Sequence, residues 1–171
     1  GLAAAAPPGK GNVRMSILSP FVGSWSSEGL KRLCATYAGA PDRVELVWVD
    51  RNHPWARNNC WLLPESTRSA LVDSGATLLH LPIREDGSDE ISSFHREHRV
   101  RDDRWSHAKV YNLQRGNSRR VLVTSANFSP AAWGSENTAG ELVIENFELG
   151  VCVERAAWPF AELEPFADPK D

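Results

Sequence analysis

Residues 105–150 read WSHAKVYNLQRGNSRRVLVTSANFSPAAWGSENTAGELVIENFELG, and the reading of this stretch decides the fold. From Trp105 to Tyr111 apolar and polar side chains alternate, which is the period of a half-buried strand. A strand sends residues two apart to the same face, so His107 and Lys109 point the same way. A second alternating run, Arg119–Phe128, places Val121, Val123, Ser125 and Asn127 on one face and Leu122, Thr124 and Ala126 on the other. Ser125 and Asn127 thus form another polar pair at a strand end. A third run, Glu141–Glu154, alternates again and carries Glu148 between Phe147 and Leu149, on the side opposite the apolar face. The expectation is three strands with reactive groups gathered at their ends.

Upstream, the chain alternates strands with helices. Val13–Val22 is rich in strand formers and is closed off by Pro20. Ser27 then reads as an N-cap, with Glu28 in the first turn and Leu30, Leu33, Cys34 and Tyr37 as an amphipathic stripe ended by Gly39 and Pro41. Arg43–Asp50 is a buried strand, Pro64–Gly75 a short helix with proline at its start and glycine past its end, and Ala76–Pro82 another strand. Strand, helix, strand, helix, strand implies crossover connections. The predicted fold class is α/β: a mixed, mostly parallel sheet flanked by helices. Between the halves, Arg84–Arg104 is charged in both signs and reads as a long surface loop leading into His107.

With 171 residues the chain fits one domain and can bury a core without disulfides. Its three cysteines, Cys34, Cys60 and Cys152, lack metal-type spacing and read as reduced, buried small hydrophobes. A net charge of -3 does not exclude a polyanionic ligand, because a local basic patch can exist on a mildly acidic body. No apolar run approaches the about 20 residues of a membrane-spanning helix, so no membrane partner is expected. The opening GLAAAAPPGKGN, residues 1–12, reads as a linker or remnant of a longer protein, leaving 13–171 as the domain.

His and Lys on one strand, beside a strand ending in Ser and Asn, suit phosphoryl chemistry. The ammonium and the amide can hold non-bridging oxygens whose charge persists through the transition state. The imidazole can attack phosphorus or protonate the leaving oxygen. A carboxylate on the far ring nitrogen would orient it, the role suggested for Glu148. No metal or other cofactor enters this scheme.

The pattern His107-x-Lys109 with Ser125-x-Asn127 resembles the phospholipase D superfamily, and VTSANFSPAAWG with NFELGV is similar to the tyrosyl-DNA phosphodiesterase family. The close resemblance runs from His107 to Val153. Gln114 stands where the superfamily's usual pattern has Asp, and Thr124 where it has Gly, and both departures fit the tyrosyl-DNA phosphodiesterase version. The resemblance implies a phospholipase D-like half-domain of the C-terminal type, in which His107, Lys109, Asn127 and Glu148 are catalytic and Ser125 is substrate-binding. It further implies hydrolysis of DNA 3′-end phosphodiesters through a phosphohistidine. Two His-x-Lys sets take part in such a reaction, and this sequence holds one. The second would come from another half of the parent chain or from a homodimer. Alternatives are a homodimeric nuclease of the same superfamily and a non-catalytic nucleic-acid-binding half-domain; lipid hydrolysis fits least, for want of an extended apolar segment. The expected location is cytoplasmic in a bacterium and nuclear in a eukaryote.

Each feature has an ordinary reading as well. Glu148 fits an exposed strand residue, and Ser125 a hydroxyl bonded to backbone at a strand end. Trp133 in AAW reads first as a short helix packing an aromatic into the core, with base stacking second. His95 and His98 have metal-ligand spacing without further ligands. Arg96, Arg99, Arg101 and Arg104 are diluted by Asp102 and Asp103, and His53 follows a strand's C-terminal end.

Overall fold

The computed structural model describes residues 2–19, 21–37, 44–48, 63–80, 109–154 and 164–165. Along the chain these are α1 (Leu2–Ala5), β1 (Arg14–Leu18), α2 (Ser27–Tyr37), β2 (Val44–Trp48), α3 (Glu65–Asp73), β3 (Thr77–His80), β4 (Lys109–Arg115), β5 (Ser118–Thr124), α4 (Pro130–Trp133), β6 (Ser135–Glu136), β7 (Leu142–Val143), β8 (Gly150–Glu154) and β9 (Glu164–Pro165). Seven strands form one mixed sheet in the order β8-β5-β4-β1-β2-β3-β9, and β6 pairs with β7 separately. The architecture is α/β, compatible with a phospholipase D-like half-domain.

The balance of strand directions differs from the expectation. Among the described strands only β1–β2 and β2–β3 are parallel, whereas β1–β4, β4–β5, β5–β8 and β3–β9 are antiparallel. The crossover segments α2 and α3 account for the parallel part, since a parallel return needs a long connection. From β4 onward the chain doubles back. A two-residue turn, Gly116-Asn117, joins β4 to β5, and Gly116 has φ +55°, the left-handed region that such hairpin turns require. The third alternating run is also divided. Its first part pairs as β7 with β6, residues 144–149 leave regular structure, and only Gly150–Glu154 joins the main sheet.

One face of the sheet carries the core. Met15, Ile17, Val44, Tyr111 and Leu113 are buried there, with Leu78 and Leu122 packed against them, and the helices supply Leu2, Ala5, Leu30, Leu33, Ala70 and Leu71. Spacing places these helical residues: Leu30 and Leu33 lie three apart on α2, and Thr67, Ala70 and Leu71 form the i, i+3, i+4 stripe of α3. The cap of α2 is Ser26, one residue before the expected Ser27; its Oγ accepts the Gly29 N–H at 3.0 Å. At the end of α3, Ala76 N–H reaches Leu71 O and Gly75 N–H reaches Val72 O, both at 3.0 Å, which satisfies the last carbonyls.

Residues 2–5, inside the stretch read as a linker, form a helical turn with Leu2 and Ala5 buried. Their i, i+3 spacing puts both on one side. Two arginines of the hairpin hold the following backbone: Arg115 donates to the carbonyls of Pro7 and Gly9, and Arg120 to that of Ala6. Cys152 is a free thiol, as expected, but it is exposed, because β8 is the outermost strand of this side of the sheet. Among the described residues no helix is long and apolar enough to cross a membrane.

Candidate active site

Four strand ends meet at one edge of the sheet. Lys109, the first residue of β4, pairs with Thr124, the last of β5, and Thr124 pairs with Gly150, the first of β8. On the other side Leu18, the last residue of β1, pairs with Val110. Ser19 and the segments 21–25, 125–129 and 144–149 therefore leave the sheet together, at the C-terminal end of the parallel strands, where open α/β sheets bind ligands.

Lys109 is 4% exposed, although it is a lysine at a sheet edge. Its ammonium lies 5.9 Å from the centre of the Phe21 ring, a cation–π distance. Burial lowers its pKa below that of an ordinary lysine, and the nearby Glu148 carboxylate opposes that shift. Two residues along the same face, the phenol of Tyr111 is fully buried and its pKa is pushed well up by burial; the hydrogen bond from Trp133 opposes this and Glu148 adds to it.

Ser125 and Glu148 are joined directly. The Ser125 hydroxyl donates to Glu148 Oε2 at 2.5 Å and accepts the Leu149 N–H at 3.1 Å. Ser125 N–H donates to Leu149 O at 2.9 Å, and the Thr124 hydroxyl donates to the same carbonyl at 2.8 Å. The polarity of the segment is inverted relative to the sequence reading. Glu148 is half-buried and turned toward the protein, whereas Phe147 and Leu149 are 90% and 71% exposed. The reason is that residues 144–149 are not a strand, so strict alternation against the sheet does not apply.

Asn127 sits between two anchored neighbours. On one side the Tyr111 hydroxyl donates to Ala126 O at 3.0 Å. On the other, Phe128 N–H donates to Ser19 Oγ at 2.9 Å, and Phe128 O accepts from Gly23 N–H at 2.9 Å and Trp25 Nε1 at 3.2 Å. The Asn127 Oδ1 atom is buried and accepts no hydrogen bond from the described residues. A buried amide left with open bonding capacity is available to a ligand.

The structure thus brings Lys109, Ser125, Asn127 and Glu148 to one edge. His107 lies outside the described residues, as do His53, Cys60, His95, His98 and Arg96, Arg99, Arg101 and Arg104; of Cys34 the backbone alone is described. Gln114 is remote: five residues along β4 from Lys109 and on the opposite face, it accepts from Arg119 at 2.8 Å and donates to Gly116 O at 3.0 Å beside the hairpin turn. Trp133 closes α4 and packs edge-on against Tyr111 at 4.9 Å, the core reading of that residue. Sequence reasoning missed Ser19, Phe21 and Tyr111. Extending the same-face rule from Lys109 by two more residues finds Tyr111; nothing local marks Ser19 or Phe21.

A buried cation and the Nδ2–H donors of an amide can together hold an oxyanion, and a carboxylate fixed by a hydroxyl can orient an imidazole, while the open Oδ1 of the amide can accept from a donor. No curated protein sequence matches the chain. A family model described as tyrosyl-DNA phosphodiesterase matches residues 52–169.

Proposed function

As a member of the tyrosyl-DNA phosphodiesterase family, within the phospholipase D superfamily, the chain belongs among DNA phosphodiesterases, and we propose that it carries the C-terminal-type half of a site that hydrolyses DNA 3′-end phosphodiesters. In this reading Lys109 and Asn127 hold the non-bridging phosphoryl oxygens. A histidine of a second His-x-Lys set attacks phosphorus, forming the N–P bond as the P–O bond to the adduct breaks. His107 gives its proton to the departing oxygen, then takes one from the water that cleaves the N–P bond. Glu148 holds the His107 ring in orientation, and Ser125 holds Glu148. The second set comes from another half of the parent chain or from a second copy.

The observation that supports this most is the meeting of Lys109, Ser125, Asn127 and Glu148 at one sheet edge, within the matched stretch. The test is release of tyrosine from a 3′-phosphotyrosyl oligonucleotide by the parent protein in the presence of EDTA. His107→Ala is expected to lower turnover by about 10²–10⁴-fold, the usual worth of a general acid–base group, and to accumulate the covalent protein–DNA species. Turnover abolished by EDTA, or unchanged in His107→Ala, would refute the proposal. Activity from the isolated chain only as a dimer would favour the homodimeric nuclease reading. Tight DNA binding without turnover in any assembly would favour a non-catalytic half-domain.

A further inference from the structure

Tyr111 is set apart from the rest of the core by what its hydroxyl does. The ring is fully buried on the core face of β4, two residues beyond Lys109. Its hydroxyl accepts the Trp133 Nε1 proton at 2.7 Å and donates its own to Ala126 O at 3.0 Å. Both capacities are used, and the direction of each bond is fixed because an indole N–H can only donate and a carbonyl only accept. Trp133 is itself held by α4, where Ser129 Oγ accepts the Ala132 N–H at 3.3 Å.

This chain of bonds begins where the described part of the sheet stops. Among the described residues the last ladder pair between β4 and β5 is Lys109 with Thr124, and no described strand pairing relates β4 to residues 125–127. The Tyr111 hydroxyl makes that link. Ala126 is buried and immediately precedes Asn127, and on the far side Phe128 is bonded to Ser19. With both neighbours held, the backbone of Asn127 has little freedom, and its buried Oδ1 accepts no hydrogen bond from the described residues that could aim the amide from elsewhere.

We propose that Tyr111 is a positioning residue of the phosphodiester site: its hydroxyl sets the Ala126 carbonyl and so aims the Asn127 amide at the phosphoryl oxygens held beside Lys109. The proposal rests on the reading under "Proposed function" for its ligand, and on the Tyr111–Ala126 geometry for its mechanism. Tyr111→Phe tests it, because the ring and its edge contact with Trp133 remain while the two hydrogen bonds vanish. Two signals are read. One is the side-chain amide resonance of Asn127 in the free protein. The other is affinity for an oligonucleotide ending in a 3′-phosphate.

The expected result is a displaced Asn127 amide signal and affinity weaker by about fivefold to tenfold, the worth of one net hydrogen bond. The same substitution made in an Asn127→Ala background is expected to change affinity by less than about twofold, because the two residues act through one contact. An unmoved Asn127 signal overturns the proposal. So does an affinity loss that persists in full in the Asn127→Ala background, which would mark Tyr111 as a purely structural residue. If Tyr111→Phe does not fold, Trp133→Phe removes the donor and leaves the hydroxyl, and a smaller displacement of the same Asn127 signal is expected. Failure of the unsubstituted protein to bind the 3′-phosphate oligonucleotide would refute the phosphodiester reading, while the Asn127 signal would still decide the positioning.

Discussion

Replacing Ser19 by alanine perturbs two parts of the site through one atom. Ser19 is wholly buried; its hydroxyl accepts the Phe128 N–H at 2.9 Å and donates to Phe21 O at 2.7 Å. Phe128 is also fully buried, so its N–H would be left without a partner, a loss of about 1–3 kcal/mol. The bond to Phe21 O is only part-buried, and its loss adds about 0.5–1 kcal/mol, since water can replace it. Together these predict about 1.5–4 kcal/mol less stability. For a chain of this length that is a fall in Tm of about 3–16 °C. Phe21 is the ring beneath the Lys109 ammonium and Phe128 is the residue after Asn127, so activity at a temperature where the protein remains folded is also expected to drop, through kcat. Thermal and urea denaturation with and without the substitution, alongside the phosphotyrosyl assay, measure both effects. A stability change below about 0.5 kcal/mol would refute the assignment of Ser19 as the tie between the two segments.

Lys109→Met should raise stability at neutral pH while removing activity, because burial disfavours the native ammonium more than Glu148 favours it. The unfolded state then binds the proton more tightly than the native state. Stability relative to Lys109→Met accordingly rises with pH between the lowered native pKa and the ordinary value of 10.5. Urea denaturation at pH 7 and pH 10 checks the sign; a Met variant less stable at pH 7 contradicts it. Gly23→Ala is expected to destabilise by about 1–3 kcal/mol, because a Cβ there would lie 2.6 Å from Ser129 Cβ and 3.0 Å from Ser129 Cα, and backbone would have to move. Thermal denaturation that finds it neutral would show that residues 23 and 129 separate freely.

The local elements were legible because their signals are local. Alternation found β4 and β5, the Leu30–Leu33 stripe found α2, and proline before and glycine after found α3. Strand direction was misjudged because the first half's crossovers were extended to the second half. Gly116-Asn117 between two alternating runs was the available sign of a hairpin. Glu148 was chosen to orient the His107 ring from a strand that is not there; the structure sets its carboxylate against the Ser125 hydroxyl. Its orientation is set by Thr124 and Ser125 holding Leu149 from 25 and 24 residues away, which no local period encodes. Ser19, Phe21 and Trp25 escaped notice for the same reason. Each acts through a partner far along the chain, Ser19 and Trp25 through Phe128 and Phe21 through the Lys109 ammonium.

The hairpin also governs which length changes the site can survive. Lys109 and Thr124 are opposed by a register that closes at Arg115 and Ser118, about 20 Å away along the strands. An insertion at Gly116-Asn117 would enlarge a surface turn and leave the Lys109–Thr124 pair in place. Deleting a single residue inside β4 would instead turn every side chain between the deletion and Lys109 to the other face. The ammonium would then leave Glu148 and the core would receive the polar face of the strand. In a set of related chains, gaps are therefore expected at the hairpin turn and excluded from the seven positions leading into it.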